Sequence, residues 1–123
     1  MTLTIYGIKK CDTMQKAFAW LKDNGVAYDF HDYKASGVEA DKLEAWSKAV
    51  GWDKLLNRAG TTFKALPEAD RAGLTEAKAL KLMKAQPSMI KRPVWDVGGK
   101  IHLGFKPKSP ERAALEAAIL EKA

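Results

Sequence analysis

The opening of the chain constrains it most, because residues 1–33 pass from a strand pattern to a helix pattern and back. Residues 2–6 alternate polar and apolar, with Leu3 and Ile5 on one side, which is the period of a half-buried strand. Gly7 breaks the run, and Ile8, Lys9 and Lys10 form a short loop leading to Cys11. Met14, Ala17, Phe18 and Leu21 then recur at i, i+3, i+4 and i+7, the stripe of an amphipathic helix. Asn24-Gly25 closes that helix, with Gly25 suited to the left-handed backbone after a C-cap. Residues 26–33, from Val26 to Tyr33, predict a second strand. Strand, helix and strand in this order make a βαβ unit, whose strands run parallel and whose crossover is right-handed. The chain is therefore of the α/β class.

Helices dominate the middle. Leu43, Trp46 and Val50 share one face of a helix that Gly51 ends, and a shorter turn follows over 54–57. Arg58 to Thr62 reads as a loop by composition. A helix from Thr75 to Gln86 has Thr75 as its N-cap and Pro87 as its stop. Two β-prone runs, Val94–Val97 and Lys100–Leu103, flank Gly98-Gly99 and predict a hairpin. Ser109-Pro110-Glu111 sets a capping residue, a first-turn proline and a dipole-favoured acid in order before a helix carrying Leu115, Ala118 and Ile119. With 123 residues and no linker or repeat, the expectation is one domain over 1–123, with a helical insertion at about 38–87.

Composition narrows the class further. The net charge is +6, yet Lys and Arg are spread among acids with no basic block, so nucleic-acid binding is not expected. No signal peptide and no membrane span are visible, and a single cysteine suits a reducing compartment, so a cytoplasmic protein is expected. His31 and His102 stand far apart without a Cys or Glu at ligand spacing, so no metal site is expected. Both read as structural or surface residues.

A lone cysteine ordinarily reads as a small core residue. Cys11 differs in its place, at the joint between a strand and a helix. The first turn of a helix presents unpaired N–H groups and the positive end of its dipole, and both stabilise a thiolate. Lys9 and Lys10 add positive charge, while Asp12 and Thr13 cap the helix or touch a ligand, capping being preferred. Position 14 is Met, so there is no Cys-x-x-Cys pair, and any catalytic cycle needs a thiol from outside the chain. Met14 itself fits the helix core. Trp20, Trp46, Trp52 and Trp95 read as core or groove wall.

Three segments occur in order: Tyr6-Gly-Ile-Lys-Lys-Cys11-Asp-Thr13, Leu56-Asn-Arg58-Ala-Gly-Thr-Thr-Phe63, and Ile90-Lys-Arg92-Pro93-Val94. Together they resemble the arsenate-reductase-like family of the thioredoxin superfamily, above all its YffB-type branch; the Spx transcriptional regulators belong to the same family. The resemblance implies a thioredoxin-like fold, with the helical insertion between the N-terminal βαβ unit and the C-terminal hairpin and helix. It also implies that Cys11 is the nucleophile, that Arg58 and Arg92 hold an anion, and that Pro93, in a cis bond to Arg92, borders the site. Guanidinium forks suit oxyanions and carboxylates.

The sequence departs from the family arsenate reductases at two points. Their third arginine, after the hairpin, is replaced by a stretch holding Lys106 and Lys108, and their histidine before the cysteine is replaced by Gly7. Lysine supplies charge there without the planar fork. The resemblance therefore implies a glutathione-dependent thiol reductase acting on a small anionic or thiol substrate. Glutathione would be a co-substrate, from which or from a glutaredoxin-like donor the external thiol comes, with no tightly bound cofactor. The alternatives are an arsenate reductase proper, and an Spx-like regulator that binds RNA polymerase without turnover.

Overall fold

The alternation around Leu3 and Ile5 takes shape as β1, Leu3–Gly7, in a computed structural model that describes residues 3–122. Thr2, expected in the same strand, lies outside the described residues. The amphipathic stripe forms α1, Asp12–Asp23, and β2 is Asp29–Asp32. The hairpin comprises β3, Val94–Val97, and β4, Lys100–Leu103. The strands form one sheet in the order β2-β1-β3-β4. β1 runs parallel to β2, with Ile5 opposite Phe30, and antiparallel to β3, with Ile5 opposite Trp95. β3 and β4 pair with Trp95 opposite His102. This is the thioredoxin-like arrangement the sequence implied.

The chain divides into two compact units, one from Met1–Asp32 with Arg92–Ala123 and the other from Tyr33–Lys91. In the first, Leu3, Ile5, Trp95 and Val97 on one face of the sheet gather with Met14, Ala17 and Leu21 of α1 and with Leu115 and Ile119 of the last helix. The three α1 residues are wholly buried, as a 3.6-residue period requires of the core-facing stripe. Phe18 sits at the margin, stacked on Tyr28 and edge-on to Phe30. Each fully buried Leu or Ile contributes roughly 1.5–3 kcal/mol.

In the second unit the helices are α2 (Tyr33–Ser36), α3 (Ala40–Val50), α4 (Trp52–Leu55), α5 (Thr61–Lys64), α6 (Glu68–Arg71) and α7 (Glu76–Ala85), followed by a 3-10 turn at Pro87–Met89. α3 packs on α7, with Leu43, Trp46, Ala79 and Met83 buried. Between them the buried Ser47 hydroxyl donates to Glu76 Oε2 at 2.7 Å. The Lys78 ammonium donates to Ala69 O and Ala72 O at 2.8 and 2.7 Å, closing the end of α6. The chain then re-enters the sheet at β3 and ends in α8, Pro110–Lys122.

Both predicted serine and threonine caps form. The Thr75 hydroxyl accepts from Lys78 N–H, and the Ser109 hydroxyl accepts from Arg112 N–H. Gly25 is left-handed at φ 65°, directly after the C-cap Asn24. Three expectations need correction. The second strand is shorter than 26–33, because only 29–32 find partners on β1. Gly7 does not break the strand before it but is the last residue of β1, paired with Asp32, since a neighbouring strand supplies the ladder that a lone glycine lacks. The loop expected over 58–62 stops at Gly60, the N-cap of α5, which begins at Thr61, and neither α2 nor α6 was anticipated. Four-residue helices carry too little periodicity to be read from sequence. Among the described residues no helix is long and apolar enough to cross a membrane.

Candidate functional site

Cys11 occupies the N-cap of α1, with extended backbone at φ −126° and ψ 134°. Its carbonyl accepts the first bond of the helix, from Gln15 N–H at 2.9 Å. The side chain of the same Gln15 reaches back and donates from Nε2 to Lys9 O at 2.7 Å. One residue therefore ties down both the cysteine and the loop that delivers it. The expected capping by Asp12 or Thr13 is not what forms. Both lie inside α1, whose cap position is Cys11 itself, and no side-chain cap hydrogen bond forms there. The first turn of a helix carries N–H groups without intrahelical partners, which favour an anion near the N-cap.

The Cys11 side chain is half-buried and packs against the core shared by β1, β3 and α1. Lys9 and Lys10 are exposed, Asp12 is exposed and Thr13 half-buried. These five residues form one continuous stretch. Met14 is fully buried, as expected of helix core. Its thioether fills the space in which Gly7 would carry a side chain: a Cβ built there would stand 2.5 Å from Sδ. The glycine before the cysteine and the methionine after it are thus one packing solution, and neither leaves room for the other to grow.

Arg92 is half-buried, Pro93 is buried, and the bond between them is cis, as the resemblance implied. Pro93 O accepts from Gly104 N–H at 2.8 Å, joining the two ends of the hairpin. Trp95 is fully buried in the sheet core, its indole N–H donating to Gly104 O, so it is core rather than site wall. Lys106 and Lys108 are exposed on the following turn. His102 lies on β4, and burial together with the Lys100 ammonium holds it below the usual histidine range. Its Nε2 finds no hydrogen-bond partner. Among the described residues no cluster of three or more His, Cys, Asp or Glu gathers as metal ligands.

Arg58 belongs to the helical unit and is exposed. Its loop is pinned by an isolated bridge between Leu56 and Ile90. Asn57 N–H donates to Met89 O at 2.7 Å, and Lys91 N–H donates to Leu55 O at 2.8 Å. The pairing sets Arg58 and Lys91 around one open hollow of about 350 Å³, lined also by Asp53, Leu56, Asn57 and Ala59. Lys91 was not among the residues singled out from sequence. Its one signal was its place immediately before Arg92.

The ArsC family model matches residues 6–113. A solved structure described as the YffB protein is 56% identical, covers 96% of this chain and 99% of its own, and superposes with a TM-score of 0.88. An arsenate reductase (ArsC) related protein from Brucella melitensis is 52% identical over 98% of this chain and 96% of its own, with a TM-score of 0.75. An uncharacterized protein of Haemophilus influenzae is 37% identical over 90% of this chain and 97% of its own length.

Proposed function

The chain belongs to the ArsC family, and on that premise we propose that it is a thiol reductase with Cys11 as nucleophile and glutathione as the external thiol. The observation that carries this reading is the half-buried Cys11 at the N-cap of a twelve-residue helix, beside two exposed lysines. A thiolate is the attacking species in thiol–disulfide exchange, and this position offers it backbone N–H groups and positive charge.

The cycle follows from the single cysteine. The Cys11 thiolate attacks the glutathione sulfur of a mixed disulfide, forming a Cys11–glutathione disulfide and releasing the substrate as its thiolate, which takes up a proton. A second glutathione thiolate attacks the glutathione sulfur of that disulfide, giving oxidised glutathione and restoring Cys11. The substrate disulfide is reduced by two electrons and two glutathione units become one disulfide, so the balance closes. Lys9, Lys10, Arg92 and Lys106 are assigned to the carboxylates of glutathione, with Asp12, Thr13 and Pro93 bordering the thiol, and Arg58, in the helical unit, is assigned to anion binding. A reducing compartment such as the cytoplasm suits this chemistry. Replacement of the third arginine by lysines weighs against arsenate, which a planar fork holds better than a point charge.

The test is turnover of a glutathione mixed disulfide by the intact chain, compared with Cys11→Ser. Activity above the uncatalysed rate that vanishes in Cys11→Ser supports the reading. Equal rates for the two proteins, or turnover of arsenate in preference to the mixed disulfide, would sink it.

A further inference from the structure

Among the described residues, two arginines lie over aromatic rings, and they are employed differently. The Arg112 guanidinium sits over Phe105, 3.9 Å from the ring centroid, and its Nε also donates to Glu116 Oε1 at 3.0 Å. Its charge is met within its own helix. The Arg58 guanidinium sits over Trp52 at 5.4 Å, and no carboxylate among the described residues lies within ion-pair distance of it. A cation over a ring is attracted by the ring quadrupole rather than by an acceptor atom, so the contact pairs none of the five N–H donors of the guanidinium. It therefore restrains the group without consuming its hydrogen-bonding capacity.

The local chain supports this arrangement. Trp52 opens α4, and its carbonyl accepts from Leu56 N–H at 3.0 Å. The bridge to Ile90 begins at that same Leu56, two residues before Arg58. The ring and the guanidinium are consequently carried on one short, pinned segment. Both Arg58 and Lys91 line the hollow, so the positive charge gathered there has no carboxylate partner among the described residues other than the hollow's own Asp53, which forms no ion pair.

We propose that Trp52 is the positioning residue for Arg58: its ring holds the guanidinium by cation–π attraction and leaves the N–H donors free to bind a carboxylate or oxyanion in the hollow. This rests on the assignment of Arg58 to anion binding above. An unstacked arginine on an exposed loop loses rotamer freedom each time it binds, and a ring that preorganises it removes part of that cost.

The test uses the full chain carrying Cys11→Ser, so that binding is read without turnover, with glutathione as the titrant in calorimetry and arsenate as a second probe. Arg58→Ala is expected to weaken glutathione about tenfold or more, the loss of a charge-assisted pair. Trp52→Leu is expected to weaken it about two- to fivefold, the size of an exposed cation–π contact. Trp52→Phe, which keeps a ring, should fall between Leu and the native residue. Trp52→Met takes the place of Trp52→Leu if that variant does not fold. A merely structural tryptophan would lower the melting temperature and leave the affinity of the folded protein unchanged, and that result overturns the proposal. So does a Phe variant as weak as Leu. If Arg58→Ala loses affinity while the Trp52 series does not, only the positioning role fails. If Arg58→Ala binds both probes as the native residue does, the anion-binding role of Arg58 fails and the positioning role with it.

Discussion

The two units of this molecule hold their candidate residues by different means. In the sheet unit, Cys11 stands where β1 hands over to α1, and both elements sink their apolar faces into one continuous core. In the helical unit, α2, α4, α5 and α6 have only four residues each, and much of their order comes from individual hydrogen bonds such as Lys78 to Ala69 and Ala72. Cys11 is framed by packing and Arg58 by a pinned loop. Packing fixes a position closely, while a loop fixed by two backbone bonds keeps more freedom to adjust.

Core truncation should separate the two kinds of support most sharply. Leu21→Ala, at a fully buried site of the sheet core, is expected to cost about 2–5 kcal/mol in urea unfolding. The same change at half-buried Leu66, beside α6, should cost much less. Equal losses would mean that the short-helix region is as tightly packed as the sheet. Next in size is Gly7→Ala, which drives a Cβ into the Met14 thioether and should cost about 1–3 kcal/mol by overpacking. In a double-mutant cycle Met14→Ala should absorb the added methyl, giving a coupling energy of about 0.5–3 kcal/mol. Additive losses would show that the two do not share one space.

A smaller effect is expected where the helical unit relies on a single bond. Ser47→Ala removes the buried hydroxyl that donates to Glu76 and should cost about 1–2 kcal/mol. No change on denaturation would show that the α3–α7 contact is held by its apolar residues alone. The smallest effect concerns pH. His102 is held below its ordinary value of 6.5, first by burial and then by Lys100, so the unfolded chain binds its proton more readily than the folded one. Stability should therefore fall as pH drops below about 6.5 towards the lower folded value, and His102→Gln should flatten that slope. An unchanged slope in the variant would assign the acid sensitivity elsewhere.

Legibility in the sequence followed the length of each element. Met14, Ala17 and Leu21 were readable as core because twelve residues give the helical period three turns to repeat. Thr75 and Ser109 were readable as caps because capping is chemistry between near neighbours. The Asp12 and Thr13 assignment failed for a related reason. The helix began one residue earlier than its polar side chains suggested, which put Cys11 itself at the cap. Arg58 could be singled out only through its family segment, since neither its place over Trp52 nor its sharing of a hollow with Lys91 leaves any periodic trace. The role of Gly7 was likewise hidden, because it depends on a methionine seven positions away.

The sequence by itself determined that an α/β fold begins with a βαβ unit, that one cysteine sits between its first strand and helix, and that no second thiol of the chain can resolve what that cysteine forms. Those properties are local or are counts, and local interactions and composition are written directly in the order of residues. Tertiary structure alone decided that Gly7 belongs to β1 as its last residue, that Met14 closes the space above it, and that Arg58 lies over Trp52 and shares a hollow with Lys91. Each of these joins residues whose approach is set by packing and pairing across the fold, which spacing along the chain does not encode.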